Sequence, residues 1–168
     1  MAGKAADSTF THDINTGAVT GTTRVGGLVG SLIVSNDRSG KIEGGANLAS
    51  SPVTGGAYVG GLVGFLSNSQ VTKSMSLAPV TATGDGVGGL IGLMASGSTI
   101  TDSLAMGAMT VPAQNTASSL IGASDITSTN SETIRSYATG SVTTGSTPPS
   151  GLYASGSPSI TASFWDTT

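Results

Sequence analysis

The feature that most limits what this chain can become is an internal repeat. The segment VGGLVG begins at Val25 and returns unchanged at Val59. VGGLIG begins at Val87, and altered copies, ASSLIG and PSGLYA, begin at Ala117 and Pro149. Their leucines, Leu28, Leu62, Leu90, Leu120 and Leu152, lie 34, 28, 30 and 32 residues apart. A period of this length with several short strands in each unit points to coils stacked along one axis.

A second motif alternates with the first. Its clearest copy runs Ile134, Ser136, Tyr137, Ala138, Gly140, Val142, Thr143. Counterparts are Ile100-Ser103-Leu104-Ala105-Gly107-Met109-Thr110 and Val71-Ser74-Met75-Ser76-Val80-Thr81. Looser copies are Asn47-Leu48-Ala49-Val53-Thr54 and Asp13-Ile14-Gly17-Val19-Thr20, and Ile160-Ser163-Phe164-Trp165-Asp166 is a half-copy. Both motifs are short, rich in Val, Ile, Leu and Thr, and bounded by Gly, Ser, Asn and Pro, which is the signature of strands. No stretch keeps a helical period over 11 residues. The expected fold is all-β, a β-solenoid of about five coils of 28–34 residues. The alternative is an antiparallel β-sandwich built from duplicated hairpins. Residues 1–10 are expected to be a flexible lead-in or a cloning remnant, and 11–168 a single repeat domain.

Composition narrows the function classes. Glycine, serine and threonine number 26, 26 and 24, close to half of 168 residues, yet the mean hydropathy is positive, +0.19. Charged residues make up 9%, the net charge is -3, and there is no cysteine. Coiled coils, disulfide scaffolds and zinc modules need other residues, and a nucleic-acid binder needs a basic surface. No run approaches the roughly 18 apolar residues of a membrane span. No nucleic acid partner and no membrane insertion are expected.

The paired glycines, Gly26-Gly27, Gly60-Gly61 and Gly88-Gly89, lack the spacing and following helix of a dinucleotide loop. Close backbone approach is their expected role. The anchor set is therefore structural: Gly26, Gly27, Leu28, Gly60, Gly61, Leu62, Gly88, Gly89, Leu90, Leu120 and Leu152. Because Leu28 and Val29 are adjacent and both apolar, a bend after the glycines is expected to turn both inward.

These motifs together resemble the GLUG repeat. The stretch Ser136-Tyr137-Ala138-Thr139-Gly140-Ser141-Val142-Thr143 is similar to that repeat's second half. The ending Ser163-Phe164-Trp165-Asp166-Thr167 is similar to the sequence that follows such arrays. The resemblance runs from about Thr11 to Thr168. It implies a location and a scaffold role, since GLUG repeats occur in large bacterial surface and secreted proteins, filamentous-haemagglutinin-like adhesins and immunoglobulin-A-cleaving metallopeptidases among them. It implies no catalytic residue. The fourth and fifth anchors, with Ser118-Ser119 and Pro149-Ser150-Gly151, depart from the motif and are expected to be distorted or to form a cap.

No constellation for chemistry emerges. His12 is the sole histidine, and its neighbour Asp13 faces the other way on a strand. Asp85, Asp102 and Asp125 do not share a repeat position, and no calcium repeat is present. No catalytic residue, cofactor or metal site is expected. The threonines Thr20, Thr54, Thr81, Thr110 and Thr143 follow the apolar residue of the second motif in five copies, so stacking would align them in a surface column. Such a column is also what ice binding needs. The second hydroxyl column, however, is broken: Thr22 and Thr83 are matched by Gly56, Pro112 and Gly145. Tyr137, Leu104 and Phe164 share one repeat position and are expected to fill core, with Trp165 and Tyr153 capping the stack.

The expected function is a non-catalytic structural or adhesion module of an extracellular or cell-surface bacterial protein. Expected partners are other domains of a parent protein or copies of itself. The alternatives are a filament subunit that stacks end to end, and a module binding host glycan or protein through loops at Asn36-Asp37-Arg38 or Ala113-Gln114-Asn115. Ice binding is the remote one.

Overall fold

Gly, Ser, Asn and Pro cut each repeat into strands of two to five residues. Such pieces are too short to stand alone and must pair with their equivalents in neighbouring repeats. The computed structural model describes residues 2–34, 40–112, 115–125, 130–144, 151–156 and 158–166. Among these the secondary structure is entirely β, and the chain forms a β-solenoid of about five turns.

Five sheets run the length of the stack. In chain order within a coil, the first holds Ala2–Ala6, Val29–Ile33, Val63–Ser67, Ile91–Met94 and Ile121–Ser124. The second holds Thr9–Thr11, Gly40–Glu43, Ser69–Thr72, Thr99–Thr101, Glu132–Ile134 and Ser159–Thr161. The third holds Ile14–Asn15, Ala46–Asn47, Met75–Ser76, Leu104–Ala105, Tyr137–Ala138 and Phe164–Trp165. The fourth holds Val19–Thr20, Val53–Gly55, Val80–Ala82, Met109–Thr110 and Val142–Thr143. The fifth holds Thr23–Gly26, Ala57–Gly60, Val87–Gly88 and Ala117–Ser118. Neighbours in every sheet run parallel, because each strand pairs with the same point of the next coil. That geometry sets the antiparallel sandwich aside.

The flexible lead-in also needs correcting. Ala2–Ala6 pairs with Val29–Ile33, and Thr9–Thr11 pairs with Gly40–Glu43, so this segment is the start of the first rung. It lacks the glycine-leucine motif, but Ala5 is buried against the same core as Leu32.

Inside, equivalent apolar residues stack in two clusters. One contains Leu28, Val29, Leu32, Ile42 and their counterparts; the other lies behind the fourth and fifth sheets with Val25, Val53, Val59, Val80 and Met109. Each fully buried aliphatic side chain contributes about 1.5–3 kcal/mol. The chain bends at Gly27-Leu28 between two strands, and Leu28 and Val29 enter the same cluster. The anchors Leu28, Leu62, Leu90, Leu120 and Leu152 are all buried.

The paired glycines answer to close contact. A β-carbon on Gly60 would collide with the Val63 carbonyl oxygen and lie 2.6 Å from Gly92 N and 2.8 Å from Leu90 O. One on Gly61 would collide with the Ser76 hydroxyl and the Gly89 carbonyl. In the fourth coil Ser118 fits the first of these positions. Beyond it, Ile121 and Tyr153 form a parallel bridge, and the Ser119 N–H donates to Gly151 O (3.1 Å). Ser118 Oγ donates to Ile121 O (2.6 Å) or Leu152 O (3.1 Å) and accepts from Ile121 N (3.2 Å).

Serine closes the corner between the second and third sheets. His12, Gly44, Lys73, Asp102, Arg135 and Ala162 all turn that corner with φ between 45° and 66°. Left-handed backbone costs a non-glycine residue roughly 1 kcal/mol, and the ladder is interrupted there. The serine that follows restores it. The hydroxyls of Ser74, Ser103, Ser136 and Ser163 accept the N–H of Gly45, Ser74, Ser103 and Ser136 at 3.0–3.3 Å. Each also donates to the carbonyl two residues back, at 2.8–3.0 Å.

Candidate functional site

The third and fourth sheets together present a pleated outer face. Burial and exposure alternate from Met75 to Thr81 and from Leu104 to Thr110, so every second residue points outward. The segments that build this face on the first five rungs, 14–22, 45–56, 74–84, 103–112 and 136–144, contain no charged residue, and on the sixth rung Asp166 stands at the position of Met106.

Two ladders occupy it. On the fourth sheet Thr20, Thr54, Thr81, Thr110 and Thr143 pair in unbroken register, and all five are exposed. Their hydroxyls repeat at about 4.8 Å. The next outward position holds Thr22, Gly56, Thr83 and Pro112, so the second hydroxyl column is interrupted; Gly145 lies outside the described residues. On the third sheet the register is Ile14, Ala46, Met75, Leu104, Tyr137, Phe164.

That second ladder overturns an expectation. Tyr137, Leu104 and Phe164 do not fill the core: Phe164 is 66% and Tyr137 40% exposed, and Leu104 is half-buried. The corner explains it. Ser103 and Ser136 point inward to clasp the ladder, so the following residue points out and the one after, Ala105 or Ala138, points in. All six large apolar side chains that are exposed among the described residues belong to this sheet or its edge: Ile14, Met75, Met106, Tyr137, Phe164 and Trp165. Trp165 lies over Gly151, in contact with its backbone, and Tyr153 packs on the main core, so both sit at the last coil.

The charged side chains stand along one margin of the face, on the corner column. Arg135 donates to both carboxylate oxygens of Asp102, from Nε (2.6 Å) and Nη2 (3.0 Å). This hydrogen bonding, with the attraction of the guanidinium, holds the Asp102 carboxyl below its ordinary value and raises Arg135. On the adjacent strand Lys41 Nζ donates to Glu43 (2.7 Å), and that bond lowers Glu43 in the same way. His12 lies against Gly44. Asp85 accepts the Thr116 N–H (3.0 Å) beside the fifth sheet, while Asp125 follows the first. The three aspartates Asp85, Asp102 and Asp125 thus sit on different faces. Among the described residues no three His, Cys, Asp or Glu side chains gather closely enough to hold a metal ion.

A depression of about 260 Å3, lined by Gly3, Val19, Arg24 and Gly30, opens where the fourth and fifth sheets end at Val19–Thr20 and Thr23–Gly26. Arg24 lies over the Phe65 ring, 4.4 Å from its centre. Of the expected binding loops, Asn36-Asp37-Arg38 and Ala113-Gln114 lie outside the described residues; Asn115 donates to the Thr83 carbonyl (3.1 Å).

The chain was compared with protein-family models, with curated proteins and with solved structures, and none matches.

The apolar ladder and its charged margin escaped the sequence reading. Their signal was there: at i−2 from each outward apolar residue stand His12, Gly44, Lys73, Asp102, Arg135 and Ala162. The serine between them marks the corner.

Proposed function

We propose that this chain is a non-catalytic spacer and presentation module of a bacterial surface or secreted protein. One observation carries the reading, the direction of the chain along the stack. Ala2–Ala6 begins the first sheet, and Phe164–Trp165 stands at the far end of the third. Domains joined to the two ends would be held apart by the rod between them. Six rungs at about 4.8 Å separate the ends by about 24 Å. Each further coil of about 30 residues would add one rung. The resemblance to GLUG repeats supports the cell-surface setting.

The test uses the lack of native cysteine. Spin labels at Lys4→Cys and Thr161→Cys report the end-to-end distance, and deleting residues 59–86 should shorten it by about 4.8 Å. In the parent protein, an unrelated rod of equal length should then restore what deletion of the module removes. If only this sequence restores it, the module is a binding element and not a spacer.

A further inference from the structure

We propose that the apolar ladder of the third sheet is a self-docking surface, on which a second copy of this chain packs antiparallel about a two-fold axis. The axis lies in the face, perpendicular to the stack. The inference is independent of the spacer reading.

The face fits a partner and not only solvent. Its outward positions are Ile14, Ala46, Met75, Leu104, Tyr137 and Phe164, and Met106 stands beside them. Contiguous apolar surface of this kind marks contact sites. What identifies a second copy is the pattern along the rod. An axis between the third and fourth rungs places the first rung on the sixth, the second on the fifth and the third on the fourth. The aromatic end then meets the aliphatic end: Phe164 lies on Ile14, Tyr137 on Ala46, and Met75 on Leu104.

The charges agree with that register. This symmetry lays the corner margin of one copy along the corner margin of the other. Lys73 on the third rung faces Asp102 on the partner's fourth, and the contact occurs twice. Arg135 on the fifth rung faces the second rung, where Glu43 adjoins Gly44. His12 faces Ala162. No rung sets like charges opposite one another. With the axis along the rod, the charged margin would instead meet the uncharged edge at Leu48, Leu77 and Met106 and find no partner.

The size of the face sets the strength. Its length is about 24 Å and its width from the corner to Ala18, Pro52, Pro79, Ala108 and Ser141 is at most about 20 Å. That is below the roughly 800 Å2 per partner of a stable complex, so the dimer belongs to the weak, concentration-dependent class.

Sedimentation equilibrium between about 10 μM and about 1 mM tests this. The wild type is expected to pass reversibly from monomer to dimer. Lys73→Asp sets Asp against the partner's Asp102, and Asp102→Lys sets Lys against the partner's Lys73. Each alone is expected to weaken the dimer about tenfold or more. Mixed in equal amounts, the two variants regain opposite charges at both contacts, and association is expected to return to the wild-type level. Both substitutions place at the corner a residue type that the column already holds; because Asp102→Lys also removes the Arg135 ion pair within its own chain, circular dichroism and thermal melts check that each variant keeps the fold. Leu104→Lys should abolish association. The proposal is overturned if the wild type stays monomeric throughout. It is equally overturned if the mixture associates no better than either variant, or if oligomers grow past the dimer and ignore all three substitutions, as end-to-end stacking would.

Discussion

Gly60→Ala is the sharpest probe of how the coils are held together. The added methyl has nowhere to go. It would collide with the Val63 carbonyl and press on Gly92 N and Leu90 O, at 2.6 and 2.8 Å. All three are backbone atoms, so no side-chain rotation relieves the contact. Two of them belong to the next coil, where Leu90 O accepts the N–H groups of Leu62 (2.9 Å) and Val63 (3.1 Å). Overpacking by itself costs about 1–3 kcal/mol. Parting those two buried bonds adds about 1–3 kcal/mol for each group left unpaired. A loss of at least about 3 kcal/mol is therefore expected, a large share of the roughly 5–15 kcal/mol that holds a typical domain. Urea unfolding should be followed both by far-ultraviolet circular dichroism, which sees every coil, and by fluorescence of Trp165 in the last rung. Coils in a stack interact with their nearest neighbours. The dichroism midpoint should fall and broaden, while the fluorescence midpoint moves less. Ser118→Gly, at the same repeat position, removes the hydroxymethyl group and its bonds to Ile121 and Leu152 without any clash, and should cost about 1–2 kcal/mol. An unshifted midpoint in Gly60→Ala would refute the claim that inter-coil contact dictates glycine here.

Four further outcomes are expected. Thr133 is buried in a column with Ile42, Val71 and Ile100, and its hydroxyl has no partner; Thr133→Val should raise stability by about 1 kcal/mol in urea titration. Ser103→Ala leaves the buried Ser74 N–H without its acceptor and should lower stability by about 1–3 kcal/mol, whereas substituting the exposed Thr81 by Ser should change little. Asp102 is held below its ordinary 3.8 by Arg135, so its contribution is present above that pH and is lost as pH falls through the depressed value. The small stability difference between wild type and Asp102→Asn should close in acid, as thermal melts would record. Thermal hysteresis should be undetectable by nanolitre osmometry, because Gly56 and Pro112 break the second hydroxyl column that an ice-binding face requires.

Much of this architecture was legible because stacking repeats its demands once per coil. Leu28, Leu62, Leu90, Leu120 and Leu152 recur since each fills the same buried place in its coil, and Thr20 to Thr143 recur since one register holds across the fourth sheet. The inward or outward sense of the third sheet was harder. Its strands are two residues long, and a period-2 pattern read over two residues has no phase of its own. The phase comes from the corner before them, where Lys73, Asp102 and Arg135 adopt positive φ. Nothing in those three side chains advertises such a backbone, and a glycine stands there only at Gly44. Apolarity at Tyr137 and Phe164 therefore pointed to core when the geometry pointed to solvent. The first rung was hidden for a related reason. Ala2–Ala6 lies ahead of the first glycine pair, so no repeated motif falls within it.

Coils that look alike are thus not interchangeable. The inward position of the third sheet reads Asn15, Asn47, Ser76, Ala105, Ala138, Trp165 along the stack, and the second glycine of each pair answers to it. Gly27 meets the Asn47 amide, Gly61 the Ser76 hydroxyl, Gly89 the Ala105 methyl and Gly151 the Trp165 indole. Early in the stack the partner is polar and bonded: Asn15 Nδ2 donates to Asn47 Oδ1 (2.9 Å), and Asn47 Nδ2 donates to Gly61 O (2.6 Å). One rung on, the Ser76 hydroxyl has no partner, and beyond it the column becomes apolar and ends on an indole. A polar ladder in a closed interior must be continued or terminated at each rung, since an unpaired buried group is costly. Moving the Asn47 coil to the place of the Ala138 coil would bury an amide beside Ser119, whose own hydroxyl is already bonded to Gly140 O (3.1 Å). The repeat fixes the shape of a coil, and this column fixes its place in the order.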